Sequence, residues 1–230
     1  MSRLELAAIQ ERQTLCRLCP RLVTWRESVA AAPPARYRGE AYWARPVPSF
    51  GDPEARVLIV GLAPAAHGGN RTGRVFTGDR SGDWLFRALW KAGFANQPTS
   101  VGLADGLKLH DCLVTAACHC APPDNKPSPA ELGQCRPFLL EEMRALSGMR
   151  VLIGLGKIGF QAAYEAARAC GLTAVPRCPT FAHGASSELS ATLTLIGSYH
   201  PSQQNTFTGR LTEPMFDQVF EVARAKLNSG

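Results

Sequence analysis

The feature that most constrains the fold of this chain is a short apolar run followed by a glycine-rich segment. Val57–Val60 is continuous and β-branched, which is typical of a strand buried on both faces of a sheet. The segment that follows, Gly61–Asp79, contains five glycines and one proline. Glycine lets the backbone approach a ligand closely, and open α/β sheets bind ligands at the carboxyl ends of their strands. We therefore expect a binding loop between Gly61 and Asp79.

An ordinary surface connection is the alternative interpretation of this loop. Loops longer than about 12–15 residues in compact domains are usually functional or disordered, which favours a functional role. A phosphate loop of the Walker type is excluded, because no Gly-Lys-Ser/Thr follows at the required spacing. The loop carries side chains that can bind phosphate, stack on a ring or hold a negative charge: His67, Arg71, Arg74, Phe76 and Asp79.

Strand-like and helical segments alternate along the chain. Further strands are predicted at 109–118, 151–154 and 193–197, and helices at 3–12, 20–27, 81–92, 129–145, 158–170 and 214–227. This alternation predicts a three-layer α/β/α sandwich around a central, mainly parallel four-stranded sheet. A length of 230 residues suits one domain over 1–230.

Composition narrows the compartment and the partners. Lys and Arg number 25 against 19 Asp and Glu, a formal net charge of +6, which suits a polyanionic partner. No apolar run approaches eighteen residues, and the N-terminus lacks a signal pattern, so we expect a cytoplasmic protein with no membrane partner. Eight cysteines in a reducing compartment favour a metal site, a cluster or buried thiols over disulfides.

Cys16-x-x-Cys19 needs two more thiols to complete a four-thiolate site, and Cys120 and Cys135 are the best candidates. Cys118 is a rival for Cys120, since the two flank one histidine. A zinc ribbon brings its second pair within about 15–20 residues of the first, whereas here the pairs are far apart. Wide separation is compatible with an iron–sulfur cluster.

Three other features each have a structural and a functional interpretation. Gly154-x-Gly156-x-x-Gly159 resembles a dinucleotide fingerprint, but no acidic residue follows at about twenty positions, which favours close helix–sheet packing. His200 follows a predicted strand, and Pro201 ends that strand, which places the imidazole at the ligand-binding edge. Asp79 alone is equally typical of a helix cap.

These motifs resemble those of the family 5 uracil-DNA glycosylases. The first motif of that family is similar to Gly61–Gly68 continuing into Gly73–Asp79, and the second to His200-Pro-Ser. Cys120-Ala-Pro-Pro-Asp-Asn and Cys135-Arg-Pro-Phe-Leu resemble the cluster motifs of families 4 and 5. The resemblance extends from Cys16 to about Phe216. It implies a [4Fe–4S] cluster of structural role, and it selects Cys120 over Cys118 in the ligand set Cys16, Cys19, Cys120 and Cys135.

The resemblance also implies a DNA repair enzyme that hydrolyses the N-glycosidic bond of a base flipped out of double-stranded or single-stranded DNA. His200 would donate to the base, Asp79 would activate water, and Asn125 would contact base or water. Many relatives carry an acid or Asn just after the first glycine of the first motif, where it positions the attacking water. This chain has Leu62–Ala65 there, so another residue must position the water. The remaining expected base- or DNA-binding residues are Gly61, Ala63, Ala65, Arg71, Phe76, Ala116, Ser202 and Arg210.

Base specificity is expected to be broad. Family 4 enzymes carry an Asn four residues before the third cluster cysteine, where this chain has Ala116. Alanine cannot hydrogen-bond the base, so hypoxanthine and substituted uracils should be accepted with uracil. We also expect the 202–211 loop to enter the duplex, with Arg210 on a phosphate beside Leu211 as a wedge. The competing hypotheses are a non-catalytic iron–sulfur nucleic-acid-binding protein and a nicotinamide oxidoreductase, and the enzyme is expected to be a monomer.

Overall fold

A computed structural model describes residues 3–228 of the chain. Residues 1, 2, 229 and 230 lie outside the described residues. The predicted domain over 1–230 and the interpretation of the N-terminus include some of them. None of the described helices is both long enough and apolar enough to cross a membrane.

The described residues form a mixed sheet of six strands, flanked by helices. Its strands are β1 (Phe50–Gly51), β2 (Val57–Gly61), β3 (Cys112–Ala116), β4 (Val151–Leu155), β5 (Ser186–Glu188) and β6 (Thr194–Ser198). The four strands of five residues are parallel to one another and buried along their whole length, which confirms the predicted parallel core.

The predicted number of four strands was too low. β1 and β5 pair antiparallel at the two edges of the sheet within residues 3–228. They are two and three residues long. Such short strands are too brief to show an alternating pattern, so their pairing depends on backbone geometry that the sequence does not display.

The helices agree with prediction in type and approximate position. They are α1 (Arg3–Leu15), α2 (Pro20–Ala31), α3 (Gly69–Thr72), α4 (Arg80–Lys91), α5 (Pro129–Ala145), α6 (Gly156–Ala169), α7 (Gln203–Phe207) and α8 (Glu213–Asn228). α5 begins with the capping box expected from its sequence, in which Ser128 and Glu131 each bond the backbone of the other. The short helices α3 and α7 were not predicted, because four or five residues are too few to reveal a helical period.

Alternate residues of the central strands point into two separate apolar cores. Ile59 faces a core built with α4 and α8, whereas Leu58 faces a core built with α5, α6 and Leu6 of α1. The result is the expected arrangement of helices on both faces of the sheet.

The strand order is β1-β3-β2-β4-β6-β5, so the first long strand, β2, lies between β3 and β4. The connections from β2 and β3 therefore leave in opposite directions and open a crevice at the carboxyl ends of the strands. The loop after β2 and the His200 segment after β6 both begin at this edge. The fold thus brings together segments that are far apart in sequence.

The glycines of the 154–159 motif serve close packing of α6 on the sheet. A Cβ at Gly154 would overlap the backbone of Phe160, and a Cβ at Gly159 would overlap the carbonyl of Val60. The motif therefore has a structural explanation that needs no nucleotide.

Candidate active site

An open cavity of about 590 Å³ lies at the carboxyl edge of the sheet. This volume is in the range of small-molecule sites. Its wall comes from four places: the loop after β2, the start of α4, the turn before α5, and the segment from the end of β6 into α7. The lining residues are Leu62, Ala63, Pro64, Ala65, Phe76, Asp79, Arg80, Ser81, Asp124, Asn125, His200, Ser202, Gln203 and Gln204. The three predicted catalytic residues therefore border one cavity.

Phe76 forms part of the wall and is held in a strained conformation. Its φ is +53°, which is uncommon outside glycine and costs on the order of 1–3 kcal/mol. The ring covers Gly61, where an added Cβ would lie 2.7 Å from two ring carbons. It also stacks on the His200 imidazole with 5.7 Å between ring centroids and 29° between planes. Gly61 therefore leaves room for the Phe76 ring and does not itself line the cavity.

Asp79 uses one carboxylate oxygen to cap α4 and leaves the other available. Oδ1 accepts hydrogen bonds from the backbone amides of Ser81 (2.9 Å) and Gly82 (3.3 Å). The two amides do not bond Oδ2, which lies close to Gly68. Burial raises the pKa of Asp79, while the amides of Gly82 and Ser81 and the Ser81 side chain act in the opposite direction. The predicted cap and the predicted catalytic carboxylate are thus compatible in one side chain.

His200 lies between β6 and α7 with its ring largely enclosed. Burial lowers the pKa of the imidazole to about 4, so the ring is neutral at pH 7. Within the described part of the chain, its Nδ1 has no hydrogen-bond partner. Its backbone carbonyl accepts a hydrogen bond from the Asn205 side chain at 2.8 Å, which fixes the start of α7. A neutral, positioned imidazole of this kind can exchange hydrogen bonds with a ligand.

Asn125 enters the cavity from a tight turn. It ends a single 3₁₀ turn, Pro123–Asn125, and both Asp124 and Asn125 have positive φ (+54° and +55°). Asn and Asp tolerate this conformation better than other non-glycine residues. The turn follows directly on Cys120–Pro122, so the backbone around that cysteine determines where the Asn125 amide lies.

Four predicted site residues lie outside the cavity wall. Gly61 lies beneath Phe76, and Ala116 ends β3, is buried and pairs with Gly61 in register. Arg71 donates to Glu40 and to the backbone carbonyls of His67 and Gly78, and its guanidinium lies over the Tyr37 ring. Arg210 is exposed and lies over the ring of Tyr199.

The prediction that Leu211 acts as a wedge beside Arg210 was wrong. Leu211 is 1% exposed and packs in the core with α8. The apolar side chain exposed in this region is Phe207 at the end of α7, which is 66% exposed. The Arg80 guanidinium lies 4.7 Å from the centre of the Phe207 ring. Sequence alone cannot say which of these apolar residues faces inward.

Sequence analysis also missed five polar residues that line the cavity: Arg80, Ser81, Asp124, Gln203 and Gln204. Gln203 and Gln204 are placed by α7, which Ser202 caps by accepting a hydrogen bond from the Asn205 amide. The sequence signal for α7 was Ser202, because serine is a common residue at the N-cap of a helix. Arg80 directly follows the capping Asp79 and so begins α4.

Five cysteines border a second, nearly filled cavity: Cys16, Cys19, Cys118, Cys120 and Cys135. Its wall continues into the first cavity, because Ala63 packs among the cysteines and also lines the open site. In addition, the Cys118 amide donates to the carbonyl of Leu62 at 3.0 Å. The thiol cavity therefore supports one side of the open cavity.

The thiol cavity brings together the four cysteines that were predicted as cluster ligands, with Cys118 as a fifth thiol. No three His, Cys, Asp or Glu side chains among residues 3–228 converge on one point as ligands of an ion. Two groups nevertheless donate to sulfur: Arg26 Nη1 to Cys120 Sγ (2.9 Å) and the His119 amide to Cys135 Sγ (3.3 Å). Such donors, together with several thiols in one protected place, are typical of cluster sites. The four predicted ligands all belong to this group.

The chain was compared with known proteins. A family model described as the uracil DNA glycosylase superfamily matches residues 48–224. A type-5 uracil-DNA glycosylase of Mycobacterium tuberculosis is 51% identical over 212 residues, which cover 92% of this chain and 78% of the relative. The enzyme of the same name from Thermus thermophilus is 49% identical over 219 residues, with 94% and 96% covered. A third, from Pyrobaculum aerophilum, is 43% identical over 210 residues, with 91% and 88% covered.

Proposed function

The chain belongs to the type-5 branch of the uracil-DNA glycosylase superfamily, and we propose that the open cavity at the carboxyl edge of its sheet is where uracil is excised from DNA. A base inside a duplex is out of reach of such a cavity, so the nucleotide must be flipped out of the stack. The observation that carries this assignment is the convergence of Asp79, Asn125 and His200 on one cavity. The alternatives of a non-catalytic binder and a nicotinamide oxidoreductase are not favoured by any feature of the site.

The reaction breaks the bond between the sugar C1′ and the base nitrogen. The bonding electron pair leaves with the base, and the sugar develops positive charge before water adds to C1′. Donors to the base oxygen stabilise the departing anion, and a carboxylate near the sugar stabilises the cation and accepts the proton of the water. The enzyme therefore needs a neutral donor on one side and a carboxylate on the other.

His200 is assigned the first task. With a pKa lowered to about 4, its imidazole is neutral at pH 7 and presents an N–H without carrying a charge. A neutral donor can strengthen its hydrogen bond as charge grows on the base oxygen. The stacking of Phe76 on the ring restricts its orientation, and Phe76 itself borders the cavity in which the flipped base is proposed to lie.

Asp79 is assigned the second task. Its Oδ1 is held by two amides of α4, so the carboxylate cannot rotate, while Oδ2 remains for water. Leu62–Ala65, the positions that hold a polar water-positioning residue in many relatives, offer only apolar side chains and backbone groups to the cavity. This supports Asp79 as the water activator, with the Asn125 amide holding the water or the base.

The cavity is suited to several deaminated bases. Ala116, at the end of β3, has no side-chain amide to read the base. The side-chain amides that border the open cavity belong to Asn125, Gln203 and Gln204. Discrimination by shape alone is worth only about 1–3 kcal/mol. Hypoxanthine and hydroxymethyluracil should therefore be excised along with uracil from matched duplexes. Activity confined to uracil would show that one of these amides reads the pyrimidine edge strictly.

A [4Fe–4S] cluster held by Cys16, Cys19, Cys120 and Cys135 completes the proposed enzyme. When bound, it would supply a rigid cross-link between the connection from α1 to α2, the Cys120 segment and α5. Hydrolysis needs no electron transfer, so its proposed role is to fix the wall that carries Ala63 and Asn125. We further assign the enzyme to the cytoplasm, whose reducing conditions keep thiols available for a cluster.

The DNA surface is assigned to the rim of the open cavity. The exposed ring of Phe207 is suited to fill the gap left by the flipped base, with Arg80 and Arg210 near phosphates. Arg71, whose donors are occupied within the protein, is better suited to stabilise the loop than to bind DNA. The proposed enzyme acts as a monomer on single-stranded or double-stranded DNA.

The test is direct. Purified protein is incubated with a duplex that contains one uracil, and alkali then cleaves any abasic site. Cleavage at the uracil position supports the assignment, provided that the Asp79→Asn protein gives much less product in the same time. Intact DNA after incubation with folded, iron-containing wild-type protein would contradict it.

A further inference from the structure

Arg26 is a buried charge that has no carboxylate partner among residues 3–228. Its side chain lies in α2 and is 1% exposed. None of the ion pairs formed by residues 3–228 involves it. The other fully enclosed arginine, Arg74, is paired with Asp105 at 2.8 Å. Arg26 is therefore an exception that calls for a physical explanation.

Burial of an unpaired charge is expensive. The penalty persists after relaxation and water entry, and it is recovered only when an opposite charge or good hydrogen bonds are present. Arg26 has weak compensation within the described residues. Nη2 makes a long hydrogen bond of 3.4 Å to the carbonyl of Cys16, and Nε has no partner.

The remaining contact of the guanidinium points at sulfur. Nη1 lies 2.9 Å from Sγ of Cys120 and donates to it. A neutral thiol is a poor acceptor, and it offers no charge to balance a cation. Both polar contacts of Arg26 thus involve cysteines of the proposed ligand set, Cys16 and Cys120.

We propose that Arg26 is the internal counter-charge of the iron–sulfur cluster. The inference rests on the cofactor assigned under the proposed function. Four thiolates outweigh the charge of a [4Fe–4S] core, so the bound group is an anion of the sign that Arg26 requires. The guanidinium donates to one ligand sulfur and lowers the cost of collecting negative charge in a buried place. Arg26 is therefore a positioning residue for the cluster rather than a residue of the reaction.

Two consequences can be measured without any glycosylase assay. A positive charge and a hydrogen bond at sulfur stabilise the reduced, more negative state of a cluster, so they raise its reduction potential. Outer partners of metal ligands also retain the metal, and their loss typically weakens retention by about 10–100-fold. Removal of the Arg26 charge should therefore lower the potential and speed loss of the cluster.

The experiment compares Arg26→Gln and Arg26→Lys with wild-type protein as it is isolated. Arg12→Gln is the matched control, because the Arg12 side chain is 56% exposed, is paired with Glu141 and lies outside the lining of the thiol cavity. The readouts are iron per chain, the rate at which absorbance near 400 nm is lost in excess chelator, and the reduction potential by film voltammetry.

The expected result has three parts. Arg26→Gln loses absorbance at least tenfold faster and has a lower potential. Arg26→Lys, which keeps the charge, lies between Arg26→Gln and wild type in both measurements. Arg12→Gln matches wild type, because water screens an exposed charge. A colourless Arg26→Gln protein beside a brown Arg26→Lys protein also supports the proposal.

Several results would overturn it. If Arg26→Gln keeps the wild-type potential and rate of loss, Arg26 does not balance the cluster. Equal losses in the Gln and Lys variants would show that side-chain shape matters and charge does not. An iron-free wild-type protein that still excises uracil would overturn the cofactor assignment itself, which separates failure of the cofactor from failure of this inference.

Discussion

Replacement of Gly68 by alanine should slow uracil excision by displacing the Asp79 carboxylate. Gly68 is buried in the first-motif loop, directly against the Asp79 carboxyl group. An added Cβ would lie 3.0 Å from the carboxyl carbon of Asp79, closer still to Oδ2, and 3.2 Å from the Cβ of Ala65. Carbon atoms in contact ordinarily stay about 3.5–4.0 Å apart. The carboxyl carbon must therefore move by about 0.5–1 Å, and Oδ2, which is closer to the added Cβ, must move by at least as much.

A displacement of that size is large for a catalytic group. A misplacement of about 1 Å can lower a rate by about 100-fold. The two amide hydrogen bonds to Oδ1 resist the movement, so part of the strain should also appear as lower stability. We expect Gly68→Ala to reduce the single-turnover rate of uracil excision by about 10- to 100-fold and to leave DNA affinity close to that of wild type.

The assay is single-turnover excision from a uracil duplex with enzyme in excess, together with a thermal melt of each protein. Gly102→Ala is the control, because no atom outside the neighbouring residues lies within 4 Å of a Cβ built there. A wild-type excision rate in folded Gly68→Ala protein would refute the assignment of Asp79 Oδ2 to the reacting water.

Three further predictions concern pH, the cluster and DNA. Burial raises the pKa of Asp79, and the carboxylate is the active form, so the excision rate should fall on acidification from a higher pH than an exposed aspartate would give; Asp79→Asn should lack this limb in a pH–rate profile. Cys120→Ser should be colourless and Cys118→Ser brown with about four irons per chain, and the reverse pattern by iron analysis would exchange their roles. Phe207→Ala should weaken binding to a uracil duplex by roughly fivefold or more, as loss of about 1–3 kcal/mol of base stacking implies, whereas the exposed control Leu103→Ala should bind normally in a fluorescence titration.

The parallel core was predictable because its strands are apolar on both faces. Only their limits were inaccurate. The second predicted strand began at Leu109, but Leu109 forms a separate bridge with Ala95, and Asp111 has a φ of +59°, which interrupts the extended backbone before β3. An apolar run cannot reveal such a local break.

Side-chain direction was the part of the site that sequence could not supply. Leu211 and Phe207 are both apolar and close together in sequence, and the turn of α7 decides that the first is buried and the second exposed. The sequence made Arg71 a reasonable phosphate ligand, because its partner Glu40 lies 31 residues earlier and the pairing is seen only in the structure. Asp79 and His200 were predictable because each directly follows a recognisable motif at the binding edge.

The cluster region shows the same contrast. The spacing of Cys16 and Cys19 identifies them as candidate ligands from the sequence alone. The role proposed for Arg26 depends on its burial and its contacts, which only the structure shows. Its sequence context, Trp25-Arg26-Glu27, is typical of an exposed helical arginine beside an acid. In the structure Glu27 pairs with Arg17 instead, and Arg26 turns inward towards Cys120.

The most direct test of the central claim is the chemical step of Asp79→Asn. Single-turnover excision of uracil and equilibrium DNA binding are measured for wild type, Asp79→Asn and the control Asp83→Asn, which makes the same charge change at an exposed position of α4. We expect Asp79→Asn to excise about tenfold to a thousandfold more slowly while binding DNA as wild type does, and Asp83→Asn to resemble wild type in both measurements. Excision by Asp79→Asn at the wild-type rate would contradict the account, since the water would then be activated by another group, with Asn125 the next candidate.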